Sequence, residues 1–68
     1  MNMNENYFTN LRLLSNYPDV MSIKDLQSAL GIGQNTAYNL INSGEIRSKR
    51  IGRQIKILKT AVLEYLDS

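Results

Sequence analysis

The chain contains no cysteine, no histidine and no tryptophan, and only one proline, Pro18. Without cysteine no disulfide framework can staple the fold, and without cysteine or histidine none of the usual zinc clusters can form. The same two absences remove the commonest general base and the thiol nucleophile. The six acids are scattered, and no two stand at a spacing that suits a metal or an acid/base pair. No catalytic residue, metal or cofactor is therefore expected, and the chain reads as a non-enzyme. No phosphate-cradling loop is present either: Gly31-Ile32-Gly33 lacks the preceding strand and the later glycine, and reads as a turn. Apolar runs are only a few residues long, against the roughly 20 that a membrane span needs. The start, MNMNENYF, has neither the basic segment nor the apolar segment of a secretory signal. The expectation is a soluble, cytoplasmic domain with no membrane partner.

Sixty-eight residues allow one small domain. A chain of this length buries only about 60% of its unfolded surface, so it depends on well-packed helices or on a partner, DNA or a second copy. The net charge is +2, and its distribution is uneven. Between Arg47 and Lys59 stand six cations (Arg47, Lys49, Arg50, Arg53, Lys56, Lys59) and no acid; outside that segment lie only Arg12 and Lys24 with all six acids. A local basic patch of this kind is the electrostatic footprint of phosphate binding. The alternative is a solvated basic surface with no partner.

Along the chain, MNMNEN is polar and expected to fray. Tyr7, Leu11 and Leu14 then recur at helical spacing with Phe8 beside them, and Pro18 ends the helix by pushing Tyr17 out of the helical region. This face either packs on a small core or forms a dimer contact. The centre of the chain runs from Ser22 to Ile57. Ser22 reads as an N-cap with Asp25 completing an acidic capping box, and Ile23, Leu26, Ala29 and Leu30 make the apolar face of a first helix. Gly31 stops it, and Ile32 plugs the angle to a second helix starting near Gly33 or Gln34. That second helix turns Ala37, Leu40 and Ile41 inward and is stopped by Gly44. Its outer face carries Gln34, Asn35, Thr36, Tyr38, Asn39 and Asn42, residues that are mediocre helix formers but can donate and accept hydrogen bonds. In a major groove, Asn and Gln bond bidentately to adenine, and Thr reaches phosphate or the thymine methyl.

After Gly44 the period becomes two. With Gly52-Arg53-Gln54 as the loop, Ile51 pairs with Ile55, and Ile51, Ile55 and Ile57 share the core face. Arg50 and Lys56 then point away from the core, Arg53 sits at the tip, and Lys49 snorkels at the core edge. Such a hairpin is marginal alone and must dock on the helices. Val62, Leu63 and Leu66 mark a C-terminal helix after Lys59-Thr60, its apolar stripe widened by Tyr65.

A helix, a glycine-containing turn, a second helix with a polar face and a basic hairpin describe a winged helix-turn-helix. Residues 21 to 66, about two-thirds of the chain, resemble the excisionase-type winged helix-turn-helix domains, relatives of the MerR DNA-binding domain. The residues that carry the likeness begin with Ser22-Ile23-Lys24-Asp25-Leu26, Leu30-Gly31-Ile32 and Asn35-Thr36-Ala37-Tyr38. Further on come Ile41 with Ser43-Gly44-Glu45-Ile46, Arg50-Ile51-Gly52-Arg53, and Leu63-Glu64-Tyr65-Leu66. The resemblance implies a mostly α fold with a small β-hairpin: about four short helices plus a two-stranded wing. Residues 1-20 form an N-terminal extension with a short helix, and residues 21-68 the winged helix-turn-helix DNA-binding domain. It also implies that Gln34, Asn35, Thr36, Tyr38, Asn39 and Asn42 face the major groove of double-stranded DNA, and that Lys49, Arg50, Gly52, Arg53 and Lys56 hold backbone or minor groove. Where the family often carries serine and then a basic residue, this chain has Gly33 and Gln34; Asn39 replaces a further basic residue, and Lys49 an aliphatic one. The wing is thus left to supply most of the affinity and the helix to do the reading. The implied role is an excisionase, or recombination directionality factor, of a phage or mobile element, with an integrase or recombinase as a further partner and a homodimer or cooperative array on DNA. A small transcriptional regulator on the same domain is the nearest alternative. A non-catalytic protein-interaction module meeting an acidic partner, and an oligomer nucleated by Tyr7, Phe8, Leu11 and Leu14, are the others.

Overall fold

The computed structural model describes residues 5–67, with side chains from residue 9 onward. The expected contributions of the Tyr7 and Phe8 side chains lie outside the described residues, as do residues 1–4. Among the described residues seven elements follow one another: α1 (Glu5–Leu13), β1 (Val20–Met21), α2 (Ile23–Leu30), α3 (Gln34–Asn42), β2 (Lys49–Ile51), β3 (Gln54–Leu58) and α4 (Lys59–Asp67). The chain is mostly helical, as expected, but the sheet has three strands rather than two, in the order β1-β3-β2 and antiparallel throughout. Helix α1 begins at Glu5, within the segment expected to fray.

The helix-turn-helix is built by its caps. Ser22 Oγ accepts from the Asp25 N–H at 3.1 Å, while Asp25 Oδ2 accepts from the Ser22 N–H at 3.0 Å, a reciprocal capping box. Gly31 adopts φ 66°, a left-handed conformation that costs glycine nothing, and its N–H donates to the Gln27 carbonyl. The chain can then reverse in two residues, Ile32 and Gly33, and start α3. Ser43 caps the end of α3, and Gly44 follows at φ 83°. The chain returns to the core at once: the Ile46 N–H donates to the Leu40 carbonyl at 3.2 Å, and Ile46 is fully buried.

The core comprises Leu14, Met21, Leu26, Ala37, Ile46, Ile55, Ile57, Ala61, Val62 and Leu63, so every element from α2 to α4 except β2 contributes to it, with β1 and the turn after α1. Burying a side chain of the leucine or isoleucine class stabilises by about 1.5–3 kcal/mol, which in so small a domain makes each of them count. Leu11, expected on the packed face of α1, is 41% exposed, while Leu14 sits in the core.

The hairpin differs from the expected register. Lys49 pairs with Lys56, Arg50 with Ile55 and Ile51 with Gln54, so the loop is the two residues Gly52-Arg53 and not three. Gly52 at φ 62° supplies the positive φ that the first position of such a turn requires. A one-residue change in pairing sends side chains to the opposite face. Ile51 therefore leaves the core and is 59% exposed, while Ile55 and Ile57 are buried as expected. Arg50, expected to point away from the core, shares the face of its partner Ile55. Lys49 lies opposite Lys56 on the outer face rather than at the core edge.

Strand β3 is the centre of the sheet. It pairs with β1 through Val20↔Leu58 and Met21↔Ile57, and α4 starts with no intervening residue. The Lys59 N–H donates to the Asp19 carbonyl at 2.8 Å across that corner. Tyr17 Oη and Ser28 Oγ, 2.8 Å apart, tie the segment before β1 to α2. The wing is thereby fixed to the helix-turn-helix at its root.

Candidate nucleic-acid interface

An open cleft of about 920 Å³ runs between the hairpin and the two helices of the helix-turn-helix. Its floor includes Ile23, Ile32 and Ile55; its walls carry Lys24 and Gln27 from α2, Gln34 and Tyr38 from α3, and Arg50, Arg53 and Lys56 from the wing. Among the described residues, four cations line it and no acid does. Among the described residues, none of the four forms an ion pair. The other two cations of the basic segment are engaged elsewhere: Arg47 Nη2 lies 2.7 Å from Glu64 Oε1 on α4, and Lys59 Nζ lies 3.9 Å from Asp19 Oδ1. Glu64 and Asp19 thus engage two cations away from the cleft and, among the described residues, leave those around it without an ion pair.

Of the residues expected to make contacts, Gln34, Tyr38, Arg50, Arg53 and Lys56 come together in this cleft. Asn35, Thr36, Asn39 and Asn42 stand on the exposed surface of α3 outside it, and Gly52 forms the wing tip. Tyr38 is only half-buried and packs against the core, so it is a wall of the cleft rather than a freely projecting side chain. Lys49 lies outside the cleft on the other face of the hairpin. Lys24 was not among the expected contacts. Lys24 is exposed on α2, and only the tertiary fold shows that it looks at the wing.

The N-terminus of α3 is also open. Gly33 is its N-cap and offers no side-chain acceptor, so the N–H groups of the first turn keep their positive end uncompensated beside Gln34. An uncharged helix beside four free cations can recognise a polyanion in two ways: hydrogen bonding by its amides, and charge from its neighbours. Among the described residues, no group of three or more His, Cys, Asp or Glu is placed to hold a metal ion, and no helix is long and apolar enough to cross a membrane.

These elements define a winged helix-turn-helix: two capped helices, a second helix with an exposed polar face, and a hairpin wing docked beside it. The chain belongs to the helix-turn-helix domain family, whose model matches residues 20–68, and its domain is of the excisionase type. It is 39% identical over 46 residues to a "Probable excisionase" of Saccharopolyspora erythraea, a match that covers 68% of this chain and 47% of the relative. The chain thus spans about half the length of that curated relative. No solved structure matches it.

Proposed function

We propose that this chain is a sequence-specific duplex DNA-binding protein that acts as an excisionase, a recombination directionality factor of a phage or other mobile element. The observation that carries the proposal is the cleft between helix-turn-helix and wing, lined among the described residues by no acid and by four cations without an ion pair, Lys24 on α2 and Arg50, Arg53 and Lys56 on the wing. Helix α3 lies in the major groove, with Asn35, Thr36 and Asn39 reading base edges and Gln34, Tyr38 and Asn42 at the flanks. Arg50, Arg53, Lys56 and Lys24 hold phosphates on either side, Gly52 lets the wing tip approach the backbone closely, and Lys49 adds to the positive field of the wing. A helix of nine residues is about 13 Å long and spans roughly four base pairs. So short a reading frame calls for a dimer, a cooperative array or tandem sites. The match to a relative named as an excisionase supports a role in recombination: bound near attachment sites, the protein bends DNA or recruits an integrase towards excision.

Footprinting over the DNA flanking its own gene tests this role. Protection at an attachment site is the expected result. Protection confined to a promoter would replace excision with transcriptional regulation by the same domain.

A further inference from the structure

The two faces of the sheet have different surroundings. Ile55, Ile57 and Met21 turn inward to the core, while the pairing places Ile51, Lys49, Lys56, Leu58 and Val20 on the other face. Three of the five large aliphatic residues exposed among the described residues lie there: Val20 at 48%, Ile51 at 59% and Leu58 at 56%. Lys49 and Lys56 are direct cross-strand neighbours on the same face, an arrangement of like charges that is unfavourable unless an anion lies between them. Among the described residues, neither lysine has an acid partner. Beside them a groove of about 220 Å³ is lined by Arg47, Ser48, Lys49, Lys56, Leu58 and Ala61. Strand β2 is a sheet edge with one side unpaired.

We propose that this outer face docks an acidic peptide segment of a partner protein, with carboxylates between Lys49 and Lys56 and an aliphatic side chain on Leu58. Charge complementarity selects an acidic occupant, and the aliphatic flanks select a peptide over a duplex. A phosphate backbone would satisfy the lysines but leave Ile51, Leu58 and Val20 against hydrated charge, with no apolar surface removed from water. A groove of this size admits a side chain and not a double helix. The surface is separate from the DNA cleft except at Lys56, which borders both. Peptide and DNA therefore compete for that lysine, and each weakens the other.

A labelled synthetic peptide alternating glutamate and leucine, titrated into the full chain with backbone-amide NMR and fluorescence anisotropy, tests the proposal. Saturable binding with shifts centred on Arg47, Ser48, Lys49, Lys56 and Leu58 is expected. Leu58→Ser should weaken the peptide about fivefold or more. It should leave duplex binding unchanged. Lys49→Glu should weaken the peptide about threefold. Any of four results would overturn the proposal: absence of saturable binding, equal binding of a peptide with serine for leucine, shifts falling instead on Lys24, Arg50 and Arg53, or a short duplex shifting the Ser48 and Leu58 amides as the peptide does.

Discussion

Removing the wing side of the cleft, with Arg50→Ala, Arg53→Ala and Lys56→Ala combined, separates charge from shape in the interface. Each phosphate neutralised by a cation releases counterions and contributes about −0.9 to the slope of log affinity against log salt. With Lys24, Arg50, Arg53 and Lys56 all engaged, the native protein should show a slope of about −3.6, a fall in affinity of about 150-fold between roughly 50 and 200 mM salt. The triple variant keeps only Lys24 in the cleft, so its slope should be about −0.9 and the fall about 3.5-fold over the same range. Gel-shift titrations on specific and random duplexes at several salt concentrations measure both slopes, and the loss should be the same on each sequence. Arg47→Ala is the internal control. Its guanidinium is already engaged 2.7 Å from Glu64 Oε1, so the slope should not change. The pair is largely exposed, and losing it should cost at most about 1 kcal/mol of stability. A triple variant with the native slope would refute the assignment of phosphate contacts to the wing.

On the helix, Asn35→Ala and Asn39→Ala should each reduce discrimination between specific and random duplexes by about 1–3 kcal/mol if the side chain makes a bidentate base contact. Equal losses on both kinds of DNA would argue against direct readout by α3. Ser22→Ala removes the hydroxyl of the capping box and should cost about 1 kcal/mol, a drop of about 4–8 °C in melting temperature by circular dichroism. An unchanged melting temperature would show that tertiary packing alone holds the start of α2.

The helix-turn-helix was legible in the sequence because its signals are local. Ser22, Asp25 and Gly31 act within one or two turns of their own backbone, and the caps form where those residues predict them. The wing was legible as a hairpin but not in its register. A loop of two residues and one of three both place Gly52 where positive φ is needed, and the isoleucine spacing favoured the longer one. The pairing of β3 with β1, invisible in a two-residue strand beside Pro18, helps fix which residues of β3 face the core. That choice decides Ile51: it is an exposed residue of the outer face and not part of the core. Tyr38 lines the cleft and is also packed against the core, a double placement that helical spacing alone does not show. Lys24 joins the cleft only through tertiary structure. No spacing along the chain relates α2 to the wing.

The junction of β3 and α4, where no residue separates strand from helix, bears on how such a wing can change over evolution. An insertion at that corner would break the Asp19–Lys59 backbone bond and pull the core residues Ile57 and Ala61 apart, so the root has no slack. At the tip, a Cβ on Gly52 would meet nothing within 4 Å among the described residues. Because strand side chains alternate, the hairpin can lengthen there by one residue on each strand with the turn and the inward side chains below it kept in place. A single added residue would displace one strand against the other and turn its apolar side chains out. Wing length is therefore a property this fold can vary in paired steps, adjusting how far along a DNA backbone it reaches without changing the helix that reads the bases.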